Sequence, residues 1–309
     1  MQQVIVTGVN GFVGHHLTDA LIKAGYEVVG VGREAAVDSN LAQKLHSYIQ
    51  CELTDAAAVK ELPLEQVSGV INLAGLAAVG PSFDNPQLYM DVNTGVLRTL
   101  AEAAIYKNVN PRIIAVSSGA IYKSGQVMPL TEDSEVDPDS SPYAKSKLAM
   151  EDLSKEYRRQ DLDVIVVRPF NHIGPGQLDG FLLPDLYRKV TSAYNRGSSL
   201  LVGNLTTKRD YTDVRDVATA YVKLLTTESL SADIFNVSSG RSVSGEEILT
   251  ALLQTLGYDN LVPEVDEGLF RPSDAPNLFG DSSRLTKQTG WQPTIQLQQT
   301  ISDYVQSKL

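Results

Sequence analysis

Glycines stand at positions 8, 11 and 14, directly after the apolar run Gln3-Val4-Ile5-Val6-Thr7, in the segment Thr7-Gly8-Val9-Asn10-Gly11-Phe12-Val13-Gly14. From Gly11 to Ala24 the apolar residues recur at helical spacing, so the glycines join a buried strand to a helix. A helix entered this way presents bare amides at its N-terminus, and glycine lets a ligand approach the backbone closely; together they attract a pyrophosphate. A glycine triplet by itself says little, because such turns also serve tight packing alone. Its place at the first strand–helix junction is what gives it weight.

The pattern then repeats. Glu27–Val31, Ser47–Ile49, Val70–Leu73, Arg112–Val116 and Val164–Val167 read as strands, most of them apolar on both faces. Helical patterns fall at Asp55–Leu62, Pro86–Lys107 and Tyr143–Arg159. Strands apolar on both faces and followed by helices imply a parallel sheet covered on both sides, with right-handed crossovers. The expected fold class is α/β: a Rossmann-type doubly wound parallel sheet with a smaller α/β substrate-binding domain. After Arg168-Pro169 the rhythm loosens and Ile173-Gly174-Pro175-Gly176 gathers Gly and Pro. We therefore expect a dinucleotide-binding domain over 1–168, with a return near 210–237 that includes Asp213-Val214-Arg215-Asp216, and a second domain over 169–309.

Composition excludes several classes. A formal charge of −11 argues against nucleic-acid binding, which uses a basic surface, but leaves room for a small anionic ligand held by a few arginines. No apolar run approaches the roughly 20 residues needed to span a bilayer, and Met1-Gln2-Gln3 leads into a strand without a basic region, so no membrane association is expected. Cys51 is the single cysteine, and an intramolecular disulfide is ruled out; a cytoplasmic protein is expected. His15, His16, His46 and His172 fall in no metal-ligand spacing, so they read as packing or surface histidines and no metal is expected.

A dinucleotide site places an acid at the end of the second strand for the adenosine ribose. Here Val31 is followed by Gly32-Arg33. A guanidinium at that place can pair with a 2′-phosphate, so NADP(H) is favoured, with NAD(H) as the alternative; a solvated Arg33 without a ligand is the bland reading.

Ser141-Pro142-Tyr143-Ala144-Lys145-Ser146-Lys147 contains Tyr-x-x-x-Lys. Residues four apart share a helix face, which brings the Lys147 ammonium near the Tyr143 phenol. A nearby cation is expected to favour phenolate and lower the phenol's pKa, fitting it for proton transfer at a carbonyl or alcohol. The motif is common by chance, but here it follows a strand ending in Ser117-Ser118.

Together these pieces resemble the extended short-chain dehydrogenases/reductases that act on nucleotide sugars, a family of epimerases, dehydratases and reductases. The resemblance runs through Thr7–Gly14, Asn72-Leu73-Ala74-Gly75, Ser117–Tyr122, Ser141–Lys147 and Arg168–Asn171, and covers essentially the full length. It implies a catalytic set of Ser118, Tyr143 and Lys147, with Ser118 hydrogen-bonding the sugar oxygen and Lys147 also holding the nicotinamide ribose. It implies cofactor contacts from Gly8, Asn10, Gly11, Phe12, Val13, Gly14, Arg33, Leu53, Leu73, Ala74, Gly75, Asn93, Tyr143 and Lys147, Asn93 being the family's supporting helix asparagine. Homodimers joined through helices at Pro86–Lys107 and Tyr143–Arg159 are common in the family.

The substrate half, at Arg168–Gln177, Val202–Leu205, Arg209–Asp216 and Phe270–Pro276, most resembles the subgroup that reduces GDP-4-keto-6-deoxy-D-mannose to GDP-D-rhamnose. That implies a GDP-sugar substrate, with Asn171 on the diphosphate-sugar and Arg209 and Arg271 clamping phosphates. Either arginine could instead serve a structural ion pair. The chain departs from the family at Glu52, where aspartate is usual, and at Asn72, where histidine is more frequent. A third departure is Ala120, two residues after Ser118, where the dehydratases carry their extra acid. Glu132 or Glu135 could stand in for it. Reduction of the C4 ketone by NADPH is the leading expectation; an NAD-dependent 4-epimerase and a non-catalytic NADP-binding regulator are the alternatives.

Overall fold

Residues 1–269 and 276–308 are described by the computed structural model of the chain. Arg271, with the rest of the 270–275 segment, lies outside the described residues. Seven strands form one parallel sheet: β1 (Gln3–Thr7), β2 (Glu27–Gly32), β3 (Ser47–Gln50), β4 (Val67–Asn72), β5 (Arg112–Val116), β6 (Val164–Pro169) and β7 (Ile234–Val237). Their order is β7-β6-β5-β4-β1-β2-β3. The crossover point falls between β1 and β4, where a doubly wound sheet opens a crevice at its carboxyl edge. This is the Rossmann-like α/β fold that the alternating pattern predicts.

Strand periodicity sorts the core. Val4 and Val6 of β1 face one cluster with Leu17 and Leu21 of α1 (Phe12–Lys23), while Ile5 faces the other with Leu97 and Leu100 of α2 (Pro86–Lys107). Met150 and Tyr157 of α3 (Pro142–Arg158) join the second cluster. The first is closed by α5 (Val214–Thr226), through Val217, Tyr221 and Leu224; α4 (Leu182–Arg196) belongs to a third apolar cluster. Burying a side chain of this size contributes about 1.5–3 kcal/mol, so two covered faces account for strands apolar on both sides.

The third cluster gathers Leu183, Leu186 and Val190 of α4, Ile248 and Leu252 of α6 (Gly245–Leu256), and Ile301 and Tyr304 of α7 (Leu297–Gln306). Ser244 begins α6 with a capping box: its hydroxyl accepts from the Glu247 amide at 3.1 Å, and the Glu247 carboxylate accepts from the Ser244 amide at 2.8 Å. Strand β7, at the end of the stretch expected to return near 210–237, pairs parallel with β6, Ile234 opposite Val166. Among the described residues no helix is long and apolar enough to cross a membrane.

Candidate active site

The glycine turn is built as its spacing predicts. Gly8 has φ +65°, and a Cβ there would stand 2.9 Å from the Ala74 amide, so the turn lies against the segment after β4. Gly14 is tighter still: a Cβ would meet the Val9 carbonyl oxygen at 2.2 Å, so α1 packs directly on the turn. Thr7 ties the two loops, donating to Asn72 Oδ1 at 2.6 Å and accepting from the Ala74 amide at 3.2 Å. Asn72 thus serves the turn in place of a histidine. Gly11 caps α1 without any side-chain hydrogen bond, and the first turn holds no acid, leaving its amides open to an anion. Asn10 Oδ1 is buried and has no hydrogen-bond partner among the described residues. Phe12 stacks on His172 with 6.0 Å between centroids, and Val13 packs against the first core cluster. A dinucleotide phosphate fits this cradle, with the uncapped amides at the start of α1 to receive it and no acid in the first turn to oppose it.

At the end of β2, Arg33 is exposed and stands 3.6 Å from Glu34, whose carboxylate also accepts from Asn10 Nδ2 at 3.0 Å. Leu53 is buried in the second core cluster, and its carbonyl accepts from Thr99 at 2.6 Å. Leu73 and Ala74 lie against Gly8, and Gly75 opens toward the reacting end.

There Asn93 acts as a clasp. Its Oδ1 accepts from the Leu76 amide at 2.9 Å, while Nδ2 donates to the Leu76 carbonyl at 3.2 Å and to Ser146 Oγ at 2.9 Å. A Cβ on Gly75 would lie 2.7 Å from Asn93 Oδ1 and 3.6 Å from Lys147 Nζ. Gly75, Asn93 and Lys147 therefore converge on one spot.

Helix α3 begins at Ser141, whose hydroxyl accepts from the Ala144 amide at 3.1 Å, with Pro142 in the first turn. That start places Tyr143 and Lys147 on the inward face, both buried. Lys147 Nζ donates to the Val116 carbonyl at 2.8 Å and lies 5.9 Å from the centre of the Tyr143 ring. Tyr89 of α2 meets that ring edge-on at 6.4 Å and donates its own hydroxyl to the Ala78 carbonyl at 2.6 Å. Ser118 is half-buried and accepts from the Ala120 amide at 3.1 Å; Ala120 itself is exposed.

One expectation is corrected. The Tyr143 phenol is not lowered by the lysine: burial pushes it up to about 12, with the Ser118 side chain acting in the opposite direction. The same burial pulls Lys147 down to about 8, opposed by the charge of Glu151. Desolvation therefore outweighs the pairing that the four-residue spacing suggests, and Tyr143 is held as a neutral acid. A neutral phenol can donate a proton to a forming alkoxide.

Neither alternative acid faces this spot freely. Glu132 is buried, accepts from the Asn236 amide at 2.8 Å and pairs with Arg284 at 3.4 Å; Glu135 pairs with Lys123 at 2.8 Å. On the other side of the crevice, Asn171 is exposed on a short strand, Asn171–Ile173, that pairs with Tyr211–Asp213. Arg209 lies just before that second strand, half-buried, with Nη1 on the Lys208 carbonyl at 2.8 Å. Sequence reasoning missed two neighbours of the site: Tyr89, and Glu151, one turn beyond Lys147.

A doubly wound sheet with a glycine-turn cradle and a Tyr–Lys helix at its carboxyl edge defines the frame of an NAD(P)-dependent enzyme. The family model "NAD dependent epimerase/dehydratase family" matches residues 4–238, and the chain belongs to that family. It is 31% identical to the GDP-6-deoxy-D-mannose reductase of Pseudomonas aeruginosa, over 97% of this chain and 95% of that one. It is 29% identical to a UDP-glucose 4-epimerase of Neisseria meningitidis, over 98% of this chain and 96% of that one. Among solved structures it resembles RMD from Pseudomonas aeruginosa complexed with NADPH, with a TM-score of 0.84, 28% identity, and 99% and 98% of the two chains covered.

Proposed function

We propose that the enzyme reduces the C4 ketone of a nucleotide-linked 4-keto-6-deoxy-hexose, with GDP-4-keto-6-deoxy-D-mannose as substrate, GDP-D-rhamnose as product and NADPH as reductant. The observation that carries this reading is a buried Tyr143 beside Ser118, with alanine at position 120 where elimination would need a carboxyl group. A nicotinamide cofactor held in this cradle would supply the hydride. Ser118 and Tyr143 hydrogen-bond the ketone oxygen, and Tyr143 gives it the proton as the C–O double bond becomes an alcohol. Lys147 compensates the phenolate left behind until solvent restores its proton, and holds the nicotinamide ribose. Gly8, Asn10, Gly11, Phe12, Val13 and Gly14 hold the pyrophosphate, with Leu73, Ala74, Gly75 and Asn93 lining the way to the reacting end and Leu53 beside the adenine. Arg33 takes the 2′-phosphate.

On this reading residues 1–168, with the return near 210–237, bind the cofactor, and residues 169–309 bind the sugar nucleotide through Asn171, Arg209 and Arg271. Exposed Leu88, Ile105 and Tyr106 on α2 support a homodimer built on α2 and α3. We place the protein in the cytoplasm, its one cysteine buried and unpaired. The identity to UDP-glucose 4-epimerases supports a second reading, an NAD-dependent 4-epimerase using the same Ser118, Tyr143 and Lys147. NADPH oxidation with several 4-keto-6-deoxy sugar nucleotides, followed by NMR of the product, tests the first reading. Tightly retained oxidised cofactor after purification, with no reductant consumed, supports the second.

A further inference from the structure

Glu151 follows Lys147 by one turn of α3, so the two side chains share a face. Its carboxylate is 2% exposed and fully engaged. Oε1 accepts from Ser117 Oγ at 2.6 Å and from Arg168 Nε at 2.9 Å, and Oε2 accepts from Arg168 Nη2 at 2.7 Å. Arg168 Nη1 donates onward to the Tyr122 hydroxyl at 3.0 Å and the Glu132 carbonyl at 2.9 Å. The Tyr122 hydroxyl donates to Asn236 Oδ1 at 2.6 Å. The network ties α3 to the carboxyl ends of β5, β6 and β7 and holds Ser117, the residue before Ser118.

We propose that Glu151 is a positioning residue for the reaction: it anchors Ser117, and through it Ser118, and sets the charge environment of Lys147. This rests on the reading of Ser118, Tyr143 and Lys147 as the catalytic group. Fold stability alone is a weak reason for such a pair, because buried ion pairs are often replaced by apolar residues at no loss. The charge has a second use. Burial pulls the Lys147 ammonium down to about 8, and Glu151 is the charge that works against it. From α3 itself, Tyr143 and Glu151 face Lys147; β5 presents the Val116 carbonyl, and α2 brings Asn93 and Tyr89. Arg168 of β6 stands behind Glu151, with Arg158, Glu132 and Tyr122 at the edges of the network and Tyr221 of α5 near Tyr143. Removing the carboxylate charge leaves the ammonium facing burial and an unpaired Arg168 cation. Both drive off its proton at lower pH.

The test compares wild type, Glu151→Gln and the charge-balanced double variant Glu151→Gln/Arg168→Met, each checked for folding by thermal melting. Two quantities are followed against pH: kcat for reduction, and NADPH affinity by fluorescence titration, which needs no turnover. In Glu151→Gln the alkaline limb of both should move down by on the order of one pH unit; in the double variant it should lie between the single variant and wild type. A folded Glu151→Gln whose limbs stay in place, with only a uniform loss of rate, overturns the proposal. If the single variant does not fold, the double decides: limbs below wild type support the role, and limbs at the wild-type pH overturn it. Tyr143→Phe separates the two claims. Normal turnover in that variant removes the catalytic reading itself, whereas an inactive Tyr143→Phe with unmoved limbs in the Glu151 variants removes only the positioning role.

Discussion

Lys147 holds its ammonium 5.9 Å from the centre of the Tyr143 ring and spends a hydrogen bond on the Val116 carbonyl, so it neighbours the phenol without ionising it. The phenol stays a donor, which is the form that ketone reduction consumes.

Tyr143→Phe should fold and bind cofactor, because it removes one hydroxyl from a buried ring. Turnover should fall by on the order of 10²-fold or more, the usual contribution of a general acid. Steady-state kinetics beside a cofactor titration checks this, and near-normal kcat refutes the role of Tyr143.

The rate should carry an alkaline limb set by Lys147, pulled by burial from 10.5 to about 8. The sign follows from its chemistry: the ammonium is present below that pH and can compensate a phenolate, and it is lost above. A pH profile of kcat should therefore fall as pH rises past about 8. A rate still rising through that range contradicts the assignment.

Arg33→Ala should weaken NADPH more than NADH, since a charge-assisted contact to the 2′-phosphate is absent for NADH. Among the described residues the Arg33 side chain makes an exposed 3.6 Å contact with Glu34, a pair worth little to the fold, so the loss should appear in binding and leave thermal stability unchanged. Equal dissociation constants for the two cofactors in the wild type would retire this expectation.

Gly14→Ala should destabilise the fold by about 3 kcal/mol, the upper range for overpacking, because the new methyl meets backbone that has little freedom to move. Its Cβ would sit 2.2 Å from the Val9 carbonyl oxygen. Chemical denaturation measures it, and a stability equal to wild type shows that the turn can yield.

Incubation with EDTA should leave activity unchanged, since proton transfer from tyrosine with hydride from a nicotinamide needs no metal. Activity lost on dialysis and restored by a divalent ion contradicts this.

Incubation with GDP-mannose and oxidised cofactor alone should yield no 4-keto-6-deoxy product. Ala120 offers a methyl group where a proton must be moved, and an elimination lacking its acid slows by roughly 10²–10⁴-fold. Glu132 and Glu135 are committed to Asn236, Arg284 and Lys123. Accumulation of the ketone, seen by NMR, refutes the exclusion of dehydratase activity.

The central sheet was legible because both its faces are covered: runs such as Ile113-Ile114-Ala115 are apolar at every position, a pattern that solvent-facing strands lack. Strand β7 falls inside the return expected near 210–237, but Ile234–Val237 is too short to read as a strand from its own pattern and joins the sheet from the far half of the chain, next to β6. The glycine turn and Ser141–Lys147 were legible because local spacing alone defines them. The sign of the Tyr143 shift was not, because desolvation depends on what other elements, Tyr89 of α2 among them, pack against the ring. Glu151 was invisible for a related reason. An acid four residues after a lysine reads as a solvated helical pair until β5 and β6 bring Ser117 and Arg168 against it.

The most direct test of the account follows NADPH consumption and sugar product together, with GDP-4-keto-6-deoxy-D-mannose as substrate. Reduction at C4 predicts one NADPH oxidised for each deoxyhexose alcohol formed, and none consumed without the ketone. Conversion of a sugar nucleotide to its C4 epimer by enzyme holding oxidised cofactor, with NADPH untouched by the ketone, would contradict it.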